Sequence, residues 1–102
     1  MIKIYLSGSC SSCRKAKKWL RKHHIEFEEI NLSKDFMEKD DLIKILSLTE
    51  NGFEDIIATR GKTYASLNYN FDELGLEKAF KLIQENPRLL KRPLIFDEDC
   101  LL

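Results

Sequence analysis

Residues 9–14 read Ser9-Cys10-Ser11-Ser12-Cys13-Arg14, and they stand where the periodicity of the chain changes. Before them Ile2, Ile4 and Leu6 alternate in the two-residue period of a strand. After them Cys13, Ala16 and Leu20 recur at helical spacing. Gly8, between Ser7 and Ser9, supplies the turn that releases the strand. The pattern predicts a first helix from Ser11 to about His23, with Trp19 beside the apolar stripe and basic residues on the remaining faces. Two thiols at this spacing on a strand-to-helix junction can close a disulfide, and the unpaired N–H groups of a helix start stabilise a thiolate. Cys10, at the helix N-terminus, is expected to be the more exposed, attacking thiol, its pKa lowered by the helix dipole and by Arg14 and Lys15. Cys13, on the buried stripe, is expected to resolve.

Working outward, Ile25 to Ile30 alternates again, with Ile25, Phe27 and Leu32 directed inward. This predicts a second strand parallel to the first, since a helix lies between them. Asn31 to Asp40 is polar and ends in acids suited to a helix start. A second helix through Leu42, Ile43, Ile45, Leu46 and Leu48 is expected to stop at Asn51-Gly52, where glycine tolerates left-handed backbone. Short helical pieces are expected around Phe53 to Ile57 and Tyr64 to Leu67. Leu76, Ala79, Phe80 and Ile83 mark a further helix, which ends before Asn86-Pro87 because proline disfavours helical geometry in the preceding residue. Arg92-Pro93-Leu94-Ile95-Phe96 reads as a strand, and Asp97-Glu98-Asp99 as a turn into Cys100-Leu101-Leu102, a terminal hairpin. A C-x-x-C beside a βαβ pattern reads as thioredoxin-like, so the fold class is α/β: a mixed sheet of about four strands with a helical insertion. The apolar ending predicts a truncated C-terminus.

The 102 residues suffice for one domain with a single core. Lys plus Arg and Asp plus Glu both number 17, which gives no overall charge to drive autonomous nucleic-acid binding. The distribution is uneven: Arg14, Lys15, Lys17, Lys18, Arg21 and Lys22 follow one another without an acid, while Asp35 to Asp41 and Asp97 to Asp99 are acidic. No run approaches the roughly 20 apolar residues of a membrane span, and no signal-peptide pattern opens the chain. With three cysteines, two of them in a redox spacing, a reducing cytoplasmic location is expected.

The bland reading of Cys10 and Cys13 is two free thiols at a helix start, and the strand-turn-helix setting weighs against it. Zinc is disfavoured: His23 and His24 lie about 15–20 Å along the same helix at 1.5 Å per residue. No metal or cofactor is expected. Arg60 and Arg92 are candidates to hold an oxyanion or support a thiolate; the alternative is that both are solvated surface arginines. Pro93 is a candidate cis proline, and the sequence leaves its isomer open. His23 and His24 are read as helix-capping residues, Trp19, Phe27, Phe80 and Phe96 as packing, and Cys100 as an inert buried thiol.

Taken together, the Cys10-Ser-Ser-Cys13-Arg-Lys-Ala opening, Asn51-Gly52, Thr59-Arg60-Gly61-Lys62 and the run from Asn86 through Pro93 to Asp97 resemble the Spx family of the arsenate reductase superfamily, in order and over almost the whole chain. The resemblance implies a thioredoxin-like sheet with a helical insertion. It implies a transcriptional regulator of thiol and oxidative stress genes that binds the C-terminal domain of the RNA polymerase α subunit and meets promoter DNA only within the polymerase complex. Cys10 and Cys13 would be its sensor disulfide, Gly52 would match the polymerase contact, and Arg92 the residue that supports the active conformation. In such a complex Lys17, Lys18 and Arg21 would come within reach of phosphates. Family members are also cleared by the ClpXP protease with an adaptor, partly through a C-terminal tail that this sequence does not contain. The enzymatic alternatives are an arsenate reductase, with Cys10 attacking an oxyanion held by Arg60 and Arg92, and a general thiol-disulfide oxidoreductase. The second cysteine and the Ser-Ser insert weigh against them.

Overall fold

A computed structural model describes residues 1–7 and 10–102, so the expected turn at Gly8 and Ser9 lies outside the described residues. The chain divides into two units, one of residues 1–36 with 92–102, the other of residues 37–91.

The first unit is built on β1 (Ile2–Leu6), α1 (Ser11–Lys22), β2 (Phe27–Asn31) and β3 (Leu94–Phe96). The sheet order is β2-β1-β3. β1 runs parallel to β2, with Ile4 opposite Glu29 and Leu6 opposite Asn31, and antiparallel to β3, with Tyr5 opposite Leu94. The central position of β1 explains why the simple alternation read from the sequence is incomplete. Ile4 and Leu6 are buried, and so is Tyr5 between them, on the other face of the pleat. Tyr5 stacks on Phe96, ring centroids 6.2 Å apart, while Ile4 and Leu6 cluster with Cys13 of α1 and with the partly buried Ala16, Phe27 and Ile95.

α1 turns Cys13 and Leu20 into the core. Trp19 does not follow them. The residue is 55% exposed, because at 100° per residue it falls well away from the Cys13–Leu20 stripe, and its ring lies over His23, centroids 4.2 Å apart. The helix closes at His23, and His24 takes a left-handed φ of 55°, so that the Ile25 N–H reaches back to the Leu20 carbonyl at 3.0 Å. At the other end of the unit, the expected terminal hairpin is reduced to one antiparallel bridge, Phe96 to Leu101, with the Leu102 N–H on the Ile95 carbonyl. The described sheet therefore has three strands, one fewer than the sequence led us to expect, within the α/β class it predicted.

The second unit is helical: α2 (Lys39–Leu48), α3 (Lys62–Leu67), α4 (Phe71–Leu74) and α5 (Leu76–Glu85), with 3-10 turns at Gly52–Asp55 and Pro87–Leu89. Asp40 and Asp41 in the first turn of α2 complement the helix dipole. α2 ends three residues before Asn51-Gly52, at an extended Thr49 whose hydroxyl donates to the Leu46 carbonyl at 2.7 Å. Gly52, at φ 66°, instead opens the following 3-10 turn. α5 carries Ala79 and Ile83 buried, with Leu76 and Phe80 half-buried, and gives way at Asn86 as Pro87 requires.

Candidate redox site

Cys10 is the N-cap of α1. Its extended backbone (φ −85°, ψ 116°) turns the side chain back over the first turn, where Sγ accepts the Cys13 N–H at 3.3 Å. This is the bond an N-cap oxygen would normally accept, made here by sulfur. Cys13, one turn on, is 1% exposed and packed with Ile4 and Leu6, while Cys10 is half-buried above it. Both thiols are free.

Their surroundings drive the two pKa values apart. Burial pushes Cys10 up, but hydrogen bonds from the Cys13 side chain and N–H and the Ser12 N–H, with the positive charge of Arg92, outweigh it, so Cys10 lies below the ordinary thiol value. Cys13 lies above it. Burial is the main cause and its hydrogen bond with Cys10 the next, against which a backbone hydrogen bond from Ser7 and the Arg92 charge are insufficient. The arrangement is a half-buried thiol that ionises more readily than the buried partner beneath it, the division of labour that attack and resolution need.

Arg92 reaches this site from the far end of the chain. Its Nη1–H donates to the Ser7 hydroxyl at 2.8 Å, and the Arg92–Pro93 peptide bond, just before β3, is cis. Ser7 is a residue that sequence reasoning missed. It is 7% exposed at the end of β1 and serves both the Arg92 guanidinium and, through its backbone, the Cys13 thiol, yet in the sequence it was legible only as a turn residue. Cys10, Cys13, Arg92 and Pro93 thus share the first unit, whereas Arg60, exposed just before α3, and Gly52 belong to the second. The Gly52 N–H donates to the Thr49 hydroxyl at 3.0 Å.

The remaining candidates are outside the site. Cys100 is exposed, not buried as expected, because the Asp97 carboxylate takes the N–H groups of Asp99 and Cys100 at 2.8 Å each and holds a tight turn. Among the described residues no three His, Cys, Asp or Glu side chains gather as metal ligands, and no helix is long and apolar enough to cross a membrane. Of the three cations read as phosphate-facing, Lys17 is paired with Glu29 at 3.0 Å and Arg21 lies 5.9 Å from the centre of the Phe27 ring.

A strand, a thiol-capped helix and a proline-led strand antiparallel to the first make this an α/β protein with a paired thiol. The chain belongs to the ArsC family, whose model matches residues 5–102, and within that family to the Spx group. It is 51% identical over 98 residues to a Streptococcus agalactiae protein named Global transcriptional regulator Spx, spanning 96% of this chain and 72% of that protein. A Listeria innocua protein of the same name is 47% identical over 101 residues, 99% of this chain and 77% of that one. Among solved structures, one described as a possible arsenate reductase from Streptococcus mutans superposes with a TM-score of 0.77 at 27% identity, over 100% of this chain and 87% of the other.

Proposed function

We propose that this protein is a cytoplasmic, redox-sensing transcriptional regulator that binds the C-terminal domain of the RNA polymerase α subunit and is switched by a Cys10–Cys13 disulfide. The observation that carries the switch is the seat of the Cys10 sulfur on the Cys13 N–H at 3.3 Å, one helical turn from a buried thiol. An oxidant such as a peroxide would take the Cys10 thiolate to a sulfenic acid, and Cys13 would then displace water from that sulfur to close the bond. Closing it would replace the Cys10 cap and re-set the first turn of α1, a local change that a docked partner can read as differential affinity. The names of the relatives support the regulatory class, and the polymerase partner follows from the family resemblance. Gly52 is the residue assigned to that contact.

The test is binding of the isolated α C-terminal domain to reduced protein, oxidised protein and Cys10→Ala. The expected result is a severalfold difference between the two redox states that Cys10→Ala abolishes. Equal binding in all three would remove the switch and leave the partner standing. The reductase reading has one observation in its favour, a lowered Cys10 beside the Arg92 charge. Arsenate-dependent oxidation of a thiol donor by the full chain would establish it.

A further inference from the structure

We infer that the outer face of α1 is a binding surface for single-stranded nucleic acid, with Trp19 as the platform on which a base stacks. The geometry is set by the helix. Arg14, Lys18 and Lys22 form one i, i+4 row, opposite the buried Cys13 and Leu20, and Lys15, Trp19 and His23 the row beside it, to one side of that buried stripe, with all six residues exposed. At 1.5 Å per residue each row advances about 6 Å per step, so cations and aromatic rings run side by side for roughly 12 Å.

Three observations separate this face from an ordinary solvated one. First, its cations have no acids: among the described residues none of Arg14, Lys15, Lys18 and Lys22 has an ion-pair partner, and the first turn of α1 contains no acid. Like charges at i, i+4 work against the helix, and a polyanion laid along them removes that cost. Second, the basic residues that the fold does use lie on the flanks: Lys17 is held by Glu29, and Arg21 by Phe27. Third, Trp19, the one tryptophan in the sequence, has 55% of its surface in solvent at the centre of the charged strip, where it contributes little to the core. His23 lies against one side of the indole, at a centroid distance of 4.2 Å. An aromatic face set among cations is the arrangement that binds an unpaired strand, backbone on the charges and base on the ring. An acidic polypeptide would use the charges but leave the indole idle, and paired bases in a duplex present no free face to it. The inference is independent of the thiol switch, and either can fail without the other.

The experiment is titration of the full chain at low salt with an oligothymidylate of about 12 nucleotides, a length within single-strand site sizes. Trp19 emission is the direct readout, and anisotropy of a labelled strand serves the variants. Saturable quenching is expected, with log K falling against log salt at a slope of about −3, from four cations at about −0.7 per neutralised phosphate. Trp19→Ala is expected to weaken binding about 5-fold or more, with Trp19→Phe retaining most of it. Lys18→Ala with Lys22→Ala should reduce the slope by about 1.4, while Lys17→Ala leaves it unchanged. The proposal is overturned by the absence of saturable quenching, by equal quenching with polyglutamate, or by a duplex that binds as tightly without changing the emission.

Discussion

Arg92 donates to the Ser7 hydroxyl at 2.8 Å across 85 residues of sequence, and so ties the end of β1 to the start of β3 directly beside the two thiols. Ser7 is buried and Arg92 half-buried, so this charge-assisted bond is not freely exchanged for water. Arg92→Ala is expected to destabilise the protein by about 1.5 to 3 kcal/mol, the value of a hydrogen bond to a charged group, measurable by urea unfolding. It should also slow alkylation of Cys10 near neutral pH, since the Arg92 charge favours its thiolate. Ser7→Ala keeps the charge and loses the bond, so it should cost stability with a smaller effect on alkylation. Equal alkylation in wild type and Arg92→Ala would remove Arg92 from the site.

The opposed shifts of the two thiols have a pH signature. Cys10 is depressed, so its thiolate stabilises the fold above the unfolded thiol value, and that contribution is lost as pH falls through the folded pKa. Cys13 is raised, so its protonated form contributes below the unfolded value, and that contribution is lost as pH rises through the folded pKa. Iodoacetamide labelling followed by peptide mass spectrometry should therefore give Cys10 the lower midpoint and Cys13 the higher. In Cys13→Ala the Cys10 midpoint should rise, because the side-chain hydrogen bond is gone while the backbone one remains. Coincident midpoints in the wild type would contradict this division.

What the sequence shows and hides here follows from the range of the interactions. Period and punctuation are local, so β1, the Cys10–Cys13 junction, α1 and the stop of α5 at Asn86-Pro87 were legible from neighbouring residues alone. The burial of Tyr5 was not, because it depends on β3 arriving from the other end of the chain to make β1 central. Ser7 was hidden for the same reason: nothing near it in sequence foretells a guanidinium. Thr49 ended α2 early through its own hydroxyl, a competition that the apolar pattern through Leu48 cannot register. Trp19 was misplaced by treating its neighbourhood to the stripe as membership, although its angular position already put it outside. The Asp97 turn shortened the expected hairpin by satisfying backbone donors locally.

Gly52 separates a folding effect from a binding effect. Its φ of 66° is costly for any residue with a Cβ, yet nothing lies within 4 Å of where that Cβ would stand. Gly52→Ala and Gly52→Gln should consequently lose the same stability, about 1 to 2 kcal/mol for a left-handed L-residue. If this position meets the polymerase, affinity for the α C-terminal domain should fall much further for Gln than for Ala, by about 10-fold or more for a side chain forced into a packed interface. Equal affinities for the two variants would place the contact elsewhere.

The turn that presents Gly52 depends on Asp55. One carboxylate oxygen accepts the N–H groups of Glu50 and Asn51 at 3.0 Å each, and the other accepts the Asn51 side-chain amide at 3.2 Å. These bonds, those from Asn51 foremost, hold the Asp55 carboxyl below its ordinary value. Because the charged form is favoured by the fold, the contribution is complete above the ordinary carboxylate range and is lost as pH falls through the folded pKa. Asp55→Asn at neutral pH keeps the shape and removes the charge, so the amides of Glu50 and Asn51 should exchange faster with deuterium while those of α5 are unaffected. The wild type should show the same local acceleration, relative to α5, when acidified through the Asp55 transition. Protection at Glu50 and Asn51 that survives both changes would mean that the backbone, not the carboxylate, holds this turn.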